Sequence, residues 1–228
     1  MKTRAILVFS WLAGVALFVA GIAFFYGPAT PNDGDITIEI AQLAENQLSN
    51  FVYVGAVYLC YILFIPVVVL LTAHLFSYRP IGSVIASTLF CLGGAVEMAA
   101  TLASLSRWVY AIPEGGKGNA TAIGLFQTLT VQFLVLDFAG VALVYAAAII
   151  YAILLWKMHR PTSYLLLIST FFLLVGIPAT LISAHFGMFL SMLSILTYAV
   201  ACVGIGYVVR KLVRMGTLGF ATDTEPTG

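Results

Sequence analysis

The sequence predicts an all-α membrane protein, a polytopic bundle of about six transmembrane helices with both termini in the cytoplasm. Three observations carry this. First, of 228 residues 62% are hydrophobic and only 8% charged, with a mean hydropathy of +1.07, whereas a water-soluble domain carries about 25% charged residues. Second, the apolar residues gather into runs near the ~20 residues that cross ~30 Å of hydrocarbon. Third, the basic residues sort to one side of those runs.

The runs are 5–26, 51–76 (interrupted by Pro66), 81–105, 123–156 and a tract of 47 residues from Ser163 to Val209. As one helix that last tract would be ~70 Å long, more than twice the bilayer core. It must fold back, and Ala184-His185-Phe186-Gly187 is the best break, giving spans 163–184 and 188–209. The first run follows Lys2 and Arg4, but it exceeds the 7–15 apolar residues of a signal peptide and ends in no clear cleavage site. It reads as a retained helix. One transmembrane domain, 1–214, and a short cytoplasmic tail, 215–228, account for the chain, and no internal repeat stands out.

Orientation follows from lysine and arginine, which favour cytoplasmic connections. With six spans, Lys2, Arg4, Arg79, Lys157, Arg160, Arg210, Lys211 and Arg214 fall on one side, and only Arg107 and Lys117 on the other. The first outer connection is acidic, with Asp33, Asp35, Glu39 and Glu45. Both ends are therefore expected inside, in a cell membrane.

The outer connections are the longer ones. After a turn-rich start at Gly27, the spacing of Ile36, Ile40 and Leu43 predicts a short amphipathic helix on the outer surface. Residues 107–122, with Pro113-Glu114-Gly115-Gly116, read as a flexible loop. Asn119-Ala120-Thr121 matches the glycosylation acceptor pattern, a weak three-residue signal.

Ionisable groups deep in a span are costly and so invite a functional hypothesis. Two qualify: Glu97 in the third span and Asp137 in the fourth. Glu97 lies ~12 Å from the outer end of its span; Asp137 lies ~20 Å deep if the fourth span enters near Ile123 and almost level with Glu97 if it enters nearer Gln132, and as consecutive spans they could face one cavity opening outward. Glu97, Thr101 and Ser104 form a polar stripe leading toward Arg107. Thr130, Asp137 and Gly140 share a face of the fourth span, and Thr180, Ser183 and His185 cluster at the outer end of the fifth. The candidate ligand- or ion-binding residues are thus Glu97, Asp137, Thr101, Arg107 and His185. Two readings stand side by side. In one, a carboxyl titrates or meets a cation, with His185 or Arg107 at the mouth. In the other, each carboxyl is only paired internally, with Arg107 reaching in to Glu97.

Several functions are excluded. His74, His159 and His185 sit at different depths, so bis-histidine haem has no ligands. Cys60, Cys91 and Cys202 form no C-x-x-C and read as buried free thiols. There is no H-E-x-x-H, no G-x-S-x-G, no Walker A motif and no lysine deep in a span. No catalytic residue, metal or other cofactor is called for, and the net charge of +1 suggests no nucleic-acid partner. Trp108 and Trp156 read as interfacial anchors, and Tyr53, Tyr58 and Tyr61 as belt or packing residues. Pro66 and Pro178 are expected to kink their helices.

The basic N-terminus, the polar outer loop, Leu136-Asp137-Phe138-Ala139-Gly140 and the connection Lys157-Met158-His159-Arg160-Pro161 together make a plan that resembles a group of bacterial six-helix membrane proteins known only as a domain of unknown function. The resemblance implies the bundle and no activity. Two functions fit the residues: a small proton- or cation-linked carrier or sensor with an outward-facing polar pocket, or a non-catalytic membrane subunit. The second would bury small-residue faces such as Ala95/Ala99/Ala103 and Ala142/Ala146 against a membrane partner or another copy.

Overall fold

In lipid every backbone N–H and C=O must be satisfied within the chain, and an α-helix does this segment by segment. The computed structural model, which describes residues 3–26, 36–179 and 182–214, is accordingly helical nearly throughout. Its elements are α1 (Thr3–Tyr26), α2 (Ile36–Glu45), α3 (Gln47–Phe76), α4 (Pro80–Ser106), a π turn (Arg107–Ala111), α5 (Ile112–Gly115), α6 (Ala120–Leu155), α7 (Arg160–Ala179) and α8 (Ala184–Arg214). Among the described residues, six stretches are long and apolar enough to cross a membrane: those in α1, α3, α6, α7 and α8, and the continuous helix from Pro80 to Gly115. The expected turn segment 27–35, Lys2, Thr180 and the tail 215–228 lie outside the described residues.

Chain-order neighbours pack against one another, and α1 closes on α8, so the contacts run once round the bundle. The most extensive pairs are α4 with α6, α1 with α8, α7 with α8 and α1 with α3. One apolar core fills the half of the bundle nearer Arg79, Lys157 and Arg210. Phe64, Leu71 and Leu75 of α3 meet Phe90 of α4, Leu155 of α6, Leu166 of α7 and Val209 of α8 there. A smaller core at the other end joins Ile40 and Leu43 of α2 to Trp108, Ala111, Ile112 and Phe126.

Several sequence expectations are corrected here. Residues 107–115 are helical, and only Gly116–Gly118 turn before Asn119, whose Oδ1 accepts from the backbone N–H of Thr121 (3.1 Å) and Ala122 (3.3 Å). The Asn-x-Thr pattern is thus a helix N-cap, starting α6 three residues before the expected span. Pro113 follows directly on the π turn, near the end of this continuous helix, and gives it no backbone N–H. The fold-back of the long tract falls at Ile182–Ser183, before the expected 184–187. The short helix expected from Ile36, Ile40 and Leu43 is α2, whose apolar stripe packs against Trp108, Ala111, Ile112 and Phe126. Trp108 is buried core, 1% exposed, with its Nε1 donating to Ser104 Oγ at 3.2 Å. Cys91 is exposed, unlike Cys60 and Cys202.

Candidate functional site

The site is built on the α4–α6 contact, and glycine sets how close that contact is. A Cβ at Gly93 would stand 2.8 Å from Val144 Cγ2 and 2.9 Å from the Gly140 carbonyl oxygen. A Cβ at Gly140 would stand 2.8 Å from Glu97 Cγ and 2.9 Å from its Oε1. Small residues let the two backbones approach, and the Glu97 side chain lies flat against α6 in the space that Gly140 leaves.

Asp137 precedes Gly140 by one turn of α6, and its carboxyl comes within interaction reach of that of Glu97. An ionised carboxylate can only accept, so carboxyl-to-carboxyl bonding requires a proton between the two. Glu97 is 3% exposed, and its Oε1 is buried with no hydrogen-bond partner. Buried polar atoms in folded proteins are nearly always paired, so this orphan acceptor calls for an explanation.

Toward the end of the bundle capped by α2, the helix of α4 widens into the π turn, a feature frequent at functional sites. The turn brings Arg107 and Trp108 inward together. Arg107 Nη1 donates to Thr130 Oγ1 (3.1 Å) and Nη2 to Ser104 Oγ (3.4 Å). Its guanidinium lies 4.8 Å from the Phe133 ring centroid, a cation–π distance. Nε has no partner. Arg107 does not ion-pair with Glu97; it lies within electrostatic reach of Glu39 and Asp137. The carboxyl pair and the guanidinium thus occupy successive levels of one polar seam.

Two cavities flank the seam. A central one of about 80 Å³ is lined mainly by apolar residues of α1, α3, α4, α6 and α8, with Glu97, Tyr53, Tyr61, Tyr145 and Tyr198 among them. A second, of about 220 Å³, lies among α2, α3, the π turn and α6, lined by Glu39, Asn50, Ser104, Arg107 and Thr130. Tyr53 lines both and so stands between them. On the opposite side of the central cavity the apolar core around Phe64 and Phe90 closes the bundle.

Four of the five sequence-derived candidates therefore fall on this seam: Glu97, Asp137, Thr101 and Arg107. Thr101 serves its own helix, donating to the carbonyls of Glu97 (2.6 Å) and Met98 (3.0 Å). His185 is exposed in the first turn of α8 and lines neither cavity. Tyr53 and Tyr61, read from the sequence as belt or packing residues, line the central cavity; their spacing of eight residues on one helix face was the available signal. Tyr58, between them, instead donates to the Met98 carbonyl at 2.7 Å. Glu39 was visible only as part of an acidic connection. No family model, curated protein or solved structure matches this chain.

Proposed function

We propose that this multi-pass membrane protein is a small proton- or cation-linked carrier or sensor, working through the carboxyl pair Glu97–Asp137 in the α4–α6 seam. The observation that carries the reading is the contact itself. Two carboxyls from different helices come within reach of one another, where a hydrogen bond between them would need a proton, and the buried Glu97 Oε1 has no other partner beside a cavity. A purely structural pair would be expected to close its bonds, since a half-satisfied polar group in low dielectric is destabilising. Arg107 sits between the pair and the second cavity as a fixed positive charge. In this reading it repels a cation that has no carboxylate to reach and steadies Asp137 when the proton leaves.

Direction follows from the positive-inside rule. Arg79, Lys157, Arg160 and Arg210 lie at the end sealed by the apolar core, while Glu39, Glu45 and Glu114 lie at the other. With the basic end cytoplasmic, both termini are inside a cell membrane, and the Arg107 cavity faces outward. A second reading, a non-catalytic subunit, draws on one observation: Ala95 and Ala99 are exposed on α4 and leave a flat strip for another membrane helix.

The test is reconstitution of the full chain in liposomes holding a pH dye. A cation gradient is expected to drive proton movement, slowed at least tenfold by Glu97→Gln or Asp137→Asn with the fold intact. Gradient-driven proton movement that both variants leave unchanged would reject the carrier reading.

A further inference from the structure

We infer that the central cavity is a binding site for a small organic ammonium ion, with Glu97 as its counter-charge. The inference rests on the reading of the carboxyl pair given above and names the ligand class for it. The cavity wall is aromatic to an unusual degree. Tyr53 and Tyr61 of α3, Tyr145 of α6 and Tyr198 of α8 line it, together with Phe64 and Phe90. A positive charge held against aromatic rings is attracted by their quadrupoles, and more strongly when water is excluded. A carboxylate beside such a wall completes the recognition of an alkylammonium group.

Three further observations narrow the class. Glu97 is 3% exposed, and its Oε1 has no partner, so an acceptor stands ready at the wall. Tyr61 and Tyr198 make no hydrogen bond through their hydroxyls among the described residues, which leaves two more acceptors for N–H donors. A hard divalent cation takes about six or more oxygen ligands, whereas no group of three His, Cys, Asp or Glu side chains converges among the described residues. A weakly hydrated organic cation needs no such shell. The volume of about 80 Å³ is roughly half the ~150 Å³ cavity that admits benzene, so the guest has only a few heavy atoms, on the scale of methylammonium.

Entry has a consequence for protons. If the Glu97–Asp137 pair holds one proton, as the reading above has it, a bound ammonium supplies the positive charge instead, and that proton leaves to the solvent as the cation arrives. The titratable groups facing the pair and its cavity are Tyr53, Cys60 and Tyr61 from α3, Tyr145 from α6, Tyr198 from α8, and Arg107 with Glu39 beyond it. The α1 wall adds only Leu17 and Ala20. In this reading the exchangeable proton comes from the carboxyls.

The experiment is calorimetric titration of the full chain in lipid nanodiscs with methylammonium chloride, in two buffers of different ionisation enthalpy. Expected are saturable binding, release on the order of one proton per cation, loss of at least tenfold in affinity in Glu97→Gln, and roughly 3- to 30-fold in Tyr61→Leu. Tyr61→Phe keeps the ring and should bind within about threefold of the parent. The inference is overturned if methanol, a neutral analogue of similar size, binds as well, if sodium competes at equal concentration, or if Tyr61→Phe and Tyr61→Leu lose affinity alike. Infrared spectra of the same samples separate the two levels of the argument. Carboxyls that titrate while methylammonium fails to bind overturn the ligand class alone; carboxyls that never change state overturn the reading it rests on.

Discussion

The α7–α8 seam and the α4–α6 seam are both close helix contacts with buried polar groups, yet they treat those groups in opposite ways. Between α7 and α8, Ser169 Oγ donates to the Ser194 carbonyl (2.8 Å) and Ser194 Oγ to the Ser169 carbonyl (2.7 Å). The Tyr145 hydroxyl joins them, 2.6 Å from Ser194 Oγ. Each hydroxyl in that cluster has a partner. Between α4 and α6, Glu97 Oε1 and Arg107 Nε are buried with none. The first arrangement is what a bundle needs to hold together in lipid. The second keeps donors and acceptors unfilled at a cost in stability, and the cavities lie on that side. Polarity inside a membrane bundle is thus informative chiefly through what it leaves unpaired.

Substitutions can break this contrast. The largest effect is expected from Glu97→Gln and Asp137→Asn: at least a tenfold loss of cation-linked proton movement in liposomes, with thermal stability in detergent unchanged or higher. A glycine comparison comes next. Gly140→Ala puts a methyl 2.8 Å from Glu97 Cγ and 3.0 Å from its backbone N, and overpacking of this kind costs about 1–3 kcal/mol. Gly176→Ala in the other seam meets Ser191 Oγ at 3.2 Å and Leu190 Cβ and the Ser191 backbone N at 3.3 Å, contacts several tenths of an ångström looser, and should cost less than Gly140→Ala in chemical unfolding. Ser194→Ala should cost about 0.6 kcal/mol, the average for hydrogen bonds between membrane helices, and leave the carboxyls' infrared bands in place.

The smallest effect lies outside the spans. His159 Nδ1 is 2.8 Å from Thr162 Oγ1 and accepts from the Thr162 backbone N–H (3.4 Å), capping α7 in its neutral form. Burial, and then the nearby positive charge of Lys211, push its pKa below the ordinary 6.5. The unfolded chain then binds the proton more readily, so the cap's contribution is present above about pH 6.5 and is lost as pH falls from there through the lower folded-state pKa. Melting curves at pH 7.5 and 5.5 should show this slight loss in the parent and not in His159→Asn, which caps without titrating.

How much of this could be read from sequence depends on which physics is local. The six spans are set by hydrocarbon thickness and run length, and Glu97 and Asp137 stood out because a charge in an apolar run is conspicuous. Their meeting was foreseeable because consecutive helices joined by few residues are neighbours. The helix over 107–115 was hidden because Pro113 and Gly115-Gly116 signal a turn, and nothing local announces that the π turn lets the chain stay helical and bury Trp108. Tyr53 and Tyr61 gave no sign of a cavity, since a ring that lines a cavity and one that faces lipid look alike in a string of letters. His185 misled for the converse reason: its polarity was visible, but its side of the bundle depends on how α8 leaves the turn.

The most direct test of the central claim is infrared difference spectroscopy of the protein in lipid between about pH 5 and 9, comparing the parent with Glu97→Gln and Asp137→Asn. A proton shared between the two carboxyls predicts a protonated-carboxyl band that changes with pH and disappears or shifts in both variants. A spectrum in which neither carboxyl changes state across that range, or in which each variant removes an independent band and leaves the other's untouched, would contradict it.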